Sequence, residues 1–166
     1  MGWHWRHLHW LWLSVLVFVL DQWTKAWIIN SLWLGERVNI IPGLFDLLHT
    51  VNPGAAFSLL ANAGGWQVPL LTAVAFGVSA VLMVWLVRQP RGARLIPLSF
   101  SLVIAGALGN GIDRIQHGHV IDFILVYWQQ WFFPAFNVAD IAISCGAILL
   151  LVEAFWPKRQ PIESKR

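Results

Sequence analysis

The chain has 166 residues, of which 58% are hydrophobic and 11% charged, and its mean hydropathy is +0.64. Soluble domains carry roughly a quarter charged residues, so a water-soluble globule is excluded and one membrane-embedded domain is expected. The single cysteine, Cys145, excludes an intrachain disulfide and a cysteine-based metal cluster, and the formal charge of +3 comes with no recognisable nucleic-acid module.

A bilayer is crossed by about 20 mostly apolar residues. The first such segment runs from about Leu8 to Ile29. It is not read as a cleaved signal peptide, because "DQWTKAWIIN" offers no small-residue cleavage site and apolar character continues past Asp21. Asp21 and Lys25 are spaced i, i+4 and read as an ion pair on one helix face. Residues 31–65 follow, with Pro42, Gly43, Asn52, Pro53 and Gly54 between short apolar runs. That pattern predicts short strands and hairpins, too apolar for a solvated loop.

The second span covers about 66–87. The third, 95–112, is weaker: Leu95–Leu108 is short and needs Gly109 to Ile112 to reach the far interface. Asp113 and Arg114 close it and read as another pair. Residues 115–136 show little periodicity and hold His117, His119 and Asp122. The fourth span, 137–156, opens with Asn137 as a candidate N-cap and Asp140 in the first turn, where the helix dipole favours a carboxylate. Cys145, inside this apolar run, reads as a small buried thiol. His4, His7 and His9 read as surface residues.

Basic residues set the orientation. Arg6, the trio Arg88, Arg91 and Arg94, and the tail Lys158, Arg159, Lys165 and Arg166 outnumber Arg37 and Arg114 on the other side. By the positive-inside rule both termini and the 88–94 connection are cytoplasmic, and Trp10, Trp27, Trp66, Trp85 and Trp156 fall where an interfacial aromatic belt belongs. The fold expected is a mainly α membrane protein, a single domain 1–166 of four transmembrane helices with a small extracytoplasmic β-rich cradle.

With this topology Asp21, Asp113, Asp122 and Asp140, four of the eight acidic residues, converge on one interface. Asp122 is hardest to explain structurally, since Val120, Ile121, Phe123, Ile124 and Leu125 surround it without a nearby cation. Burial disfavours the charge of such a carboxyl and raises its pKa. Two facing carboxyls cannot both ionise cheaply; sharing a proton, they can activate water and polarise a peptide carbonyl. There is no H-E-x-x-H and no G-x-S-x-G, and Cys145 lies too deep to be an obvious nucleophile. His117 and His119 could join a carboxylate on a metal, but two loop histidines are usually incidental. A small ion or proton-coupled transporter is the alternative; it predicts acids spread across the membrane depth and an internal repeat, neither of which is seen.

Five motifs then occur in order: "DQWTK" at 21–25, "NPGAAFSLL" at 52–60, "GALGNGIDR" at 106–114, "GHVIDF" at 118–123 and "FNVAD" at 136–140. Through them the chain resembles the bacterial lipoprotein signal peptidase (signal peptidase II) family along nearly its whole length. The resemblance implies a four-span, metal-independent aspartic peptidase of the bacterial inner membrane, without cofactor. Its substrates are diacylglyceryl-prolipoproteins, cut just before the lipidated cysteine. It implies that Asp122 and Asp140 are catalytic, that Asn52, Gly54, Asn110, Arg114 and Asn137 bind substrate or hold the site, and that Asp21, Lys25 and Asp113 support it. Membrane lipid is the other expected partner, and a monomer is expected. Val51 departs from the family, where an aromatic is common at this position.

Overall fold

The computed structural model describes residues 5–54, 59–60 and 63–155, the side chain of Arg6 excepted. The expectations placed on His4, on 55–58 of the second motif, on Trp156 and on the basic tail lie outside the described residues.

A 3-10 turn at Trp5–Trp10 leads into α1 (Leu11–Ser31), and α2 (Gln67–Leu86), α3 (Leu95–His117) and α4 (Val138–Phe155) complete the helices. Each of the four is long and apolar enough to cross a membrane, which makes this a multi-pass membrane protein. In α1 the buried positions are Ser14, Asp21, Lys25 and Ile28, while Trp12, Leu16, Trp23 and Trp27 point outward. Polar inside and apolar outside is the arrangement lipid requires.

Between α1 and α2 the chain forms β1 (Arg37–Ile41) and β2 (Phe45–Asn52); between α3 and α4 it forms β3 (Val120–Trp128) and β4 (Trp131–Phe132). They make one antiparallel sheet in the order β1-β2-β3-β4. Leu44 N–H donates to Ile41 O across Pro42 and Gly43, and Gly43 has φ +80°, the signature of a type II turn. Asp46 is buried, paired with Arg37 and bonded by Asn39 Nδ2 at 2.6 Å, which locks the hairpin; Arg37 also lies over the rings of Tyr127 and Phe132. Residues 115–136, which show little periodicity in sequence, supply β3. Its first four residues are all buried, so both faces are covered and the apolar run need not alternate.

The third segment, weakest by sequence, is the hub. α3 is the most buried helix, and α1, α2 and α4 all pack against it. Its low apolarity comes from small and polar residues that let neighbours close in. A Cβ on Gly106 would collide with the backbone oxygen of Ala139 and with the side chain of Ile143, so α3 and α4 approach backbone to backbone at this point. α3 ends where Gly118 takes φ +77° and donates its N–H to Arg114 O, a left-handed cap that turns the chain into β3. At the other end, His7 is buried rather than on the surface, its Nε2 3.1 Å from Pro90 O in the α2–α3 connection.

Gly106→Ala is therefore expected to lower stability by about 1–3 kcal/mol through overpacking. Gly77→Ala, on an exposed face of α2 where a Cβ meets nothing within 4 Å, should be neutral or slightly stabilising. Thermal unfolding in one detergent compares the two; equal losses would contradict the close α3–α4 approach.

Candidate active site

The site is assembled where α1, α3, β3 and the start of α4 meet. Lys25, 2% exposed, lies 2.8 Å from Asp21 Oδ2, 2.8 Å from Asp113 Oδ2 and 3.1 Å from Asn110 Oδ1. The i, i+4 pair with Asp21 is present, but Asp113 does not pair with Arg114. Adjacent residues on a helix point about 100° apart, so Asp113 turns toward α1 while Arg114 turns toward Gly54. Asp113 also accepts from Gln22 Nε2 at 2.8 Å and from the N–H of Ile121 at 3.2 Å, which fastens β3 to α3. Asp21 Oδ1 accepts the N–H of Ala139 at 2.8 Å, so a carboxylate of α1 caps the N-terminus of α4. Gln22, which the sequence reading passed over, bridges Asp21, Asp113 and Gly109 O.

Asn137 and Asp140 form a reciprocal cap at the start of α4. Asp140 N–H donates to Asn137 Oδ1 at 2.9 Å, and Asn137 N–H donates to Asp140 Oδ2 at 3.2 Å. Capping leaves each side chain a second atom. Asn137 Nδ2 donates to Asp122 Oδ1 at 2.7 Å, with longer approaches to Ile121 O and Asn110 Oδ1. Asp140 Oδ1 accepts from Asn110 Nδ2 at 2.8 Å. The helix-capping role of Asp140 and its place beside Asp122 are thus one arrangement.

Asp122, 3% exposed, stands opposite Thr50 in the β2–β3 register. Burial, then the neighbouring Asp140 charge, push its carboxyl up to about 7, against hydrogen bonds from Asn52 and Asn137 that favour the ionised form. Asn52 Oδ1 accepts the N–H of Gly54 at 2.9 Å, which turns its amide nitrogen toward Asp122. Gly54 is buried, and its carbonyl accepts from Arg114 at 2.6 Å, while a second guanidinium nitrogen of Arg114 donates to Asn110 O at 3.1 Å. Arg114 Nε is buried and has no partner among the described residues, leaving a donor beside the carboxyls.

Asp122, Asp140, Asn52, Asn110 and Arg114 all line one cleft of about 490 Å³. Its remaining wall is mostly apolar, with Leu71 and Val74 from α2, Ile141 and Ile143 from α4, and Phe133 and Phe136 from the segment before α4. Phe136 is held by backbone bonds to Phe123 and Ile124. Cys145 also lines this wall and is exposed, not a buried thiol; an apolar run in a membrane helix faces lipid as readily as core. His117 and His119 stand with ring centres 6.0 Å apart at the end of α3, and burial holds His119 below the usual histidine value. Among the described residues no three His, Cys, Asp or Glu side chains lie close enough to hold a metal.

Fold and site together define a multi-pass membrane protein whose polar centre, with two carboxyls, opens into an apolar cleft at one end of its helices. Two solved structures described as bacterial membrane enzymes, determined by the in meso method at 2.3 and 1.9 Å, match it with TM-scores of 0.82 and 0.79, each at 26% identity. The first covers 98% of this chain and 99% of its own, the second 96% and 99%. A lipoprotein signal peptidase of Shewanella loihica is 49% identical over 96% of this chain and 94% of its own length. That of Ectopseudomonas mendocina is 51% identical over 90% and 89%. The family model described as Signal peptidase (SPase) II matches residues 13–156, and the chain belongs to the signal peptidase II family.

Because Lys25 neutralises buried carboxylates, Lys25→Met is expected to destabilise by about 3–5 kcal/mol. Asp21 also caps α4, so its removal should not rescue this loss. Adding Asp113→Asn should, in part, since it restores the formal charge of the group to the native −1 (two carboxylates against one ammonium natively, one carboxylate in the double variant). Unfolding temperatures of the three proteins in detergent decide; a double variant no better than Lys25→Met would refute the charge argument.

Proposed function

We propose that this chain removes the signal peptide from diacylglyceryl-modified prolipoproteins, cutting just before the lipidated cysteine, with Asp122 and Asp140 as the catalytic pair. The observation that carries the reading is the placement of these carboxyls, each held by an asparagine amide, in the mouth of an apolar cleft. Signal peptidase II membership and the names of the relatives point to the same substrates.

In the reactive form the pair shares one proton, carried by Asp122, whose carboxyl is pushed up to about 7 by burial and by the neighbouring Asp140 charge. Asp122 donates to the scissile carbonyl oxygen while ionised Asp140 takes a proton from water, and the hydroxide so formed adds to the carbon. In the tetrahedral intermediate Asp140 carries the proton from water and Asp122 is ionised. Asp140 then protonates the leaving nitrogen, Asp122 recovers a proton from a hydroxyl of the intermediate, and the C–N bond breaks. The products are a signal-peptide carboxyl and the free amine of the lipidated cysteine, and the pair is back in its starting state. Arg114, with an unused Nε, stands where it can hold a substrate carbonyl, and the cleft wall of α2 and α4 suits acyl chains and an apolar signal sequence.

The carboxyl end of α3 and the start of α4 lie opposite the Arg88, Arg91 and Arg94 connection along the helices. The positive-inside rule then orients the site toward the outer face of the bacterial inner membrane, with both termini cytoplasmic. The protein works as a monomer among membrane lipids.

The test is release of signal peptide from a purified precursor with and without the diacylglyceryl group. Only the lipidated form should be cut; equal cleavage of both would remove the lipid from the reading. Asp122→Asn and Asp140→Asn should each lower turnover by at least about 10³-fold, and the double variant should be scarcely worse than either. Robust turnover by either variant would end the two-carboxyl mechanism.

The pH profile gives an independent check. Below about 7 Asp122 keeps its proton and can donate it; as pH rises through about 7 both carboxyls become charged and the acid is lost. The kcat/KM, which reports the free enzyme, should therefore fall on the alkaline side with an apparent pKa near 7, a value belonging to the coupled pair. A flat profile to pH 9 would contradict the assignment.

A further inference from the structure

Amide groups have two ends of similar size and opposite chemistry, so something must decide which end faces each carboxyl. For Asn110 the decision is made by two donors that meet its Oδ1, Lys25 Nζ at 3.1 Å and Asn137 Nδ2 at 3.3 Å, of which the charged ammonium is the nearer and the stronger. An ammonium has three donors and no acceptor, and those of Lys25 are directed at Asp21, Asp113 and Asn110. Whatever atom of Asn110 faces Nζ must therefore be oxygen, and the nitrogen is left facing Asp140 Oδ1 at 2.8 Å. For Asn137 the decision rests with the N–H of Asp140, a donor only, which fixes Oδ1 and turns Nδ2 toward Asp122 and Asn110 Oδ1. The two amides are thus aligned in series, Asn137 donating to Asn110 and Asn110 to Asp140, and the buried cation joins the series at the Asn110 oxygen.

We propose that Lys25 is a positioning residue for the reaction: acting through Asn110, it holds an N–H donor, rather than an oxygen, against Asp140. The proposal rests on the two-carboxyl reading and deepens it. Among the described residues Lys25 makes no hydrogen bond or ion pair with either carboxyl of the pair; its charge is felt by both through space, and its hydrogen-bonded route to Asp140 is the Asn110 amide. If the amide turned over, its oxygen would oppose the ionised oxygen of Asp140, which can accept but not donate. Asp140 would then be held as the acid and lost as the base. The Asp21 and Asp113 carboxylates serve this arrangement by holding the ammonium in place, and Gln22 holds the two carboxylates.

A purely structural lysine would affect folding and leave the chemistry of the folded fraction alone, so the experiment separates the two. Wild-type cleavage of a lipidated precursor is measured first; its absence would refute the proposed function and not this inference. The charge-matched pair Lys25→Met with Asp113→Asn and the single change Asn110→Ala are then compared, alone and combined, on folded protein in detergent. Each should lower kcat by about 10- to 100-fold, as a misplaced group does, with KM within about threefold. Because both remove the same oriented amide, the combination should fall no further than the worse of the two. Unchanged kcat in the charge-matched protein, or losses that multiply, would overturn the proposal.

A second variant covers the case in which the charge-matched protein does not fold. Asn110→Asp preserves shape but adds a carboxylate to a group that already carries −1, so its turnover is read per folded protein after size exclusion in detergent. It presents an oxygen to Asp140 and should lose at least about 100-fold in kcat. An active Asn110→Asp protein would show that the donor end of residue 110 is not required, and the idea would fail.

Discussion

A lysine ammonium buried between helices that face lipid needs an acceptor for each of its protons, and the surroundings of Lys25 are organised to provide them. Asp21 comes from its own helix, Asp113 and Asn110 from α3. Each acceptor has a second task that reaches a different element. Asp21 caps α4 through Ala139, Asp113 secures β3 through Ile121, and Asn110 contacts Asp140. Satisfying one charge therefore fixes the relative positions of α1, α3, α4 and the sheet. In hydrocarbon, where water cannot replace a lost partner, such a constraint is stricter than the same contacts would be in a soluble core.

The rest of the fold serves that junction by permitting close approach. Gly106 and Gly109 leave α3 without side chains where Ala139 and Asp21 come in, so the polar groups meet without being pried apart. The sheet contributes rigidity from outside: β3 carries Asp122 between β2 and the Phe136 segment, and the Arg37–Asp46 pair locks the hairpin beyond it. One carboxyl thus arrives on a strand and the other on a helix terminus, and Asn137 is the residue that touches both.

Much of this was legible in the sequence where the signal was local. The i, i+4 spacing of Asp21 and Lys25 gave their contact, and Asn137 three residues before Asp140 gave the cap. Asp113 was misassigned because its neighbour in sequence is not its neighbour in space, and nothing in a single sequence points 88 positions back to Lys25 (113 minus 25). α3 looked weak because hydropathy penalises the small and polar residues that a central membrane helix needs. Cys145 looked buried because apolar context means burial only in water. β3 escaped because a strand covered on both faces does not alternate. The family motifs named Asn52, Gly54 and Arg114, but which atom of each faces which partner required coordinates.

The arrangement of α2 and α4 has a consequence for how the cleft is filled. Both helices pack on α3 and have little contact with each other, while both contribute wall to the cleft. The cleft is therefore walled by two helices that meet mainly through α3, and in a bilayer a gap between such helices faces hydrocarbon rather than water. An apolar molecule entering this way keeps its solvation by lipid until the last moment, so little of its apolar surface is newly desolvated on entry. The hydrophobic effect, which drives most binding from water, contributes correspondingly little. Occupancy is governed by mole fraction in the bilayer plane, every surrounding acyl chain is a competitor, and selectivity must come from the polar groups at the mouth of the cleft.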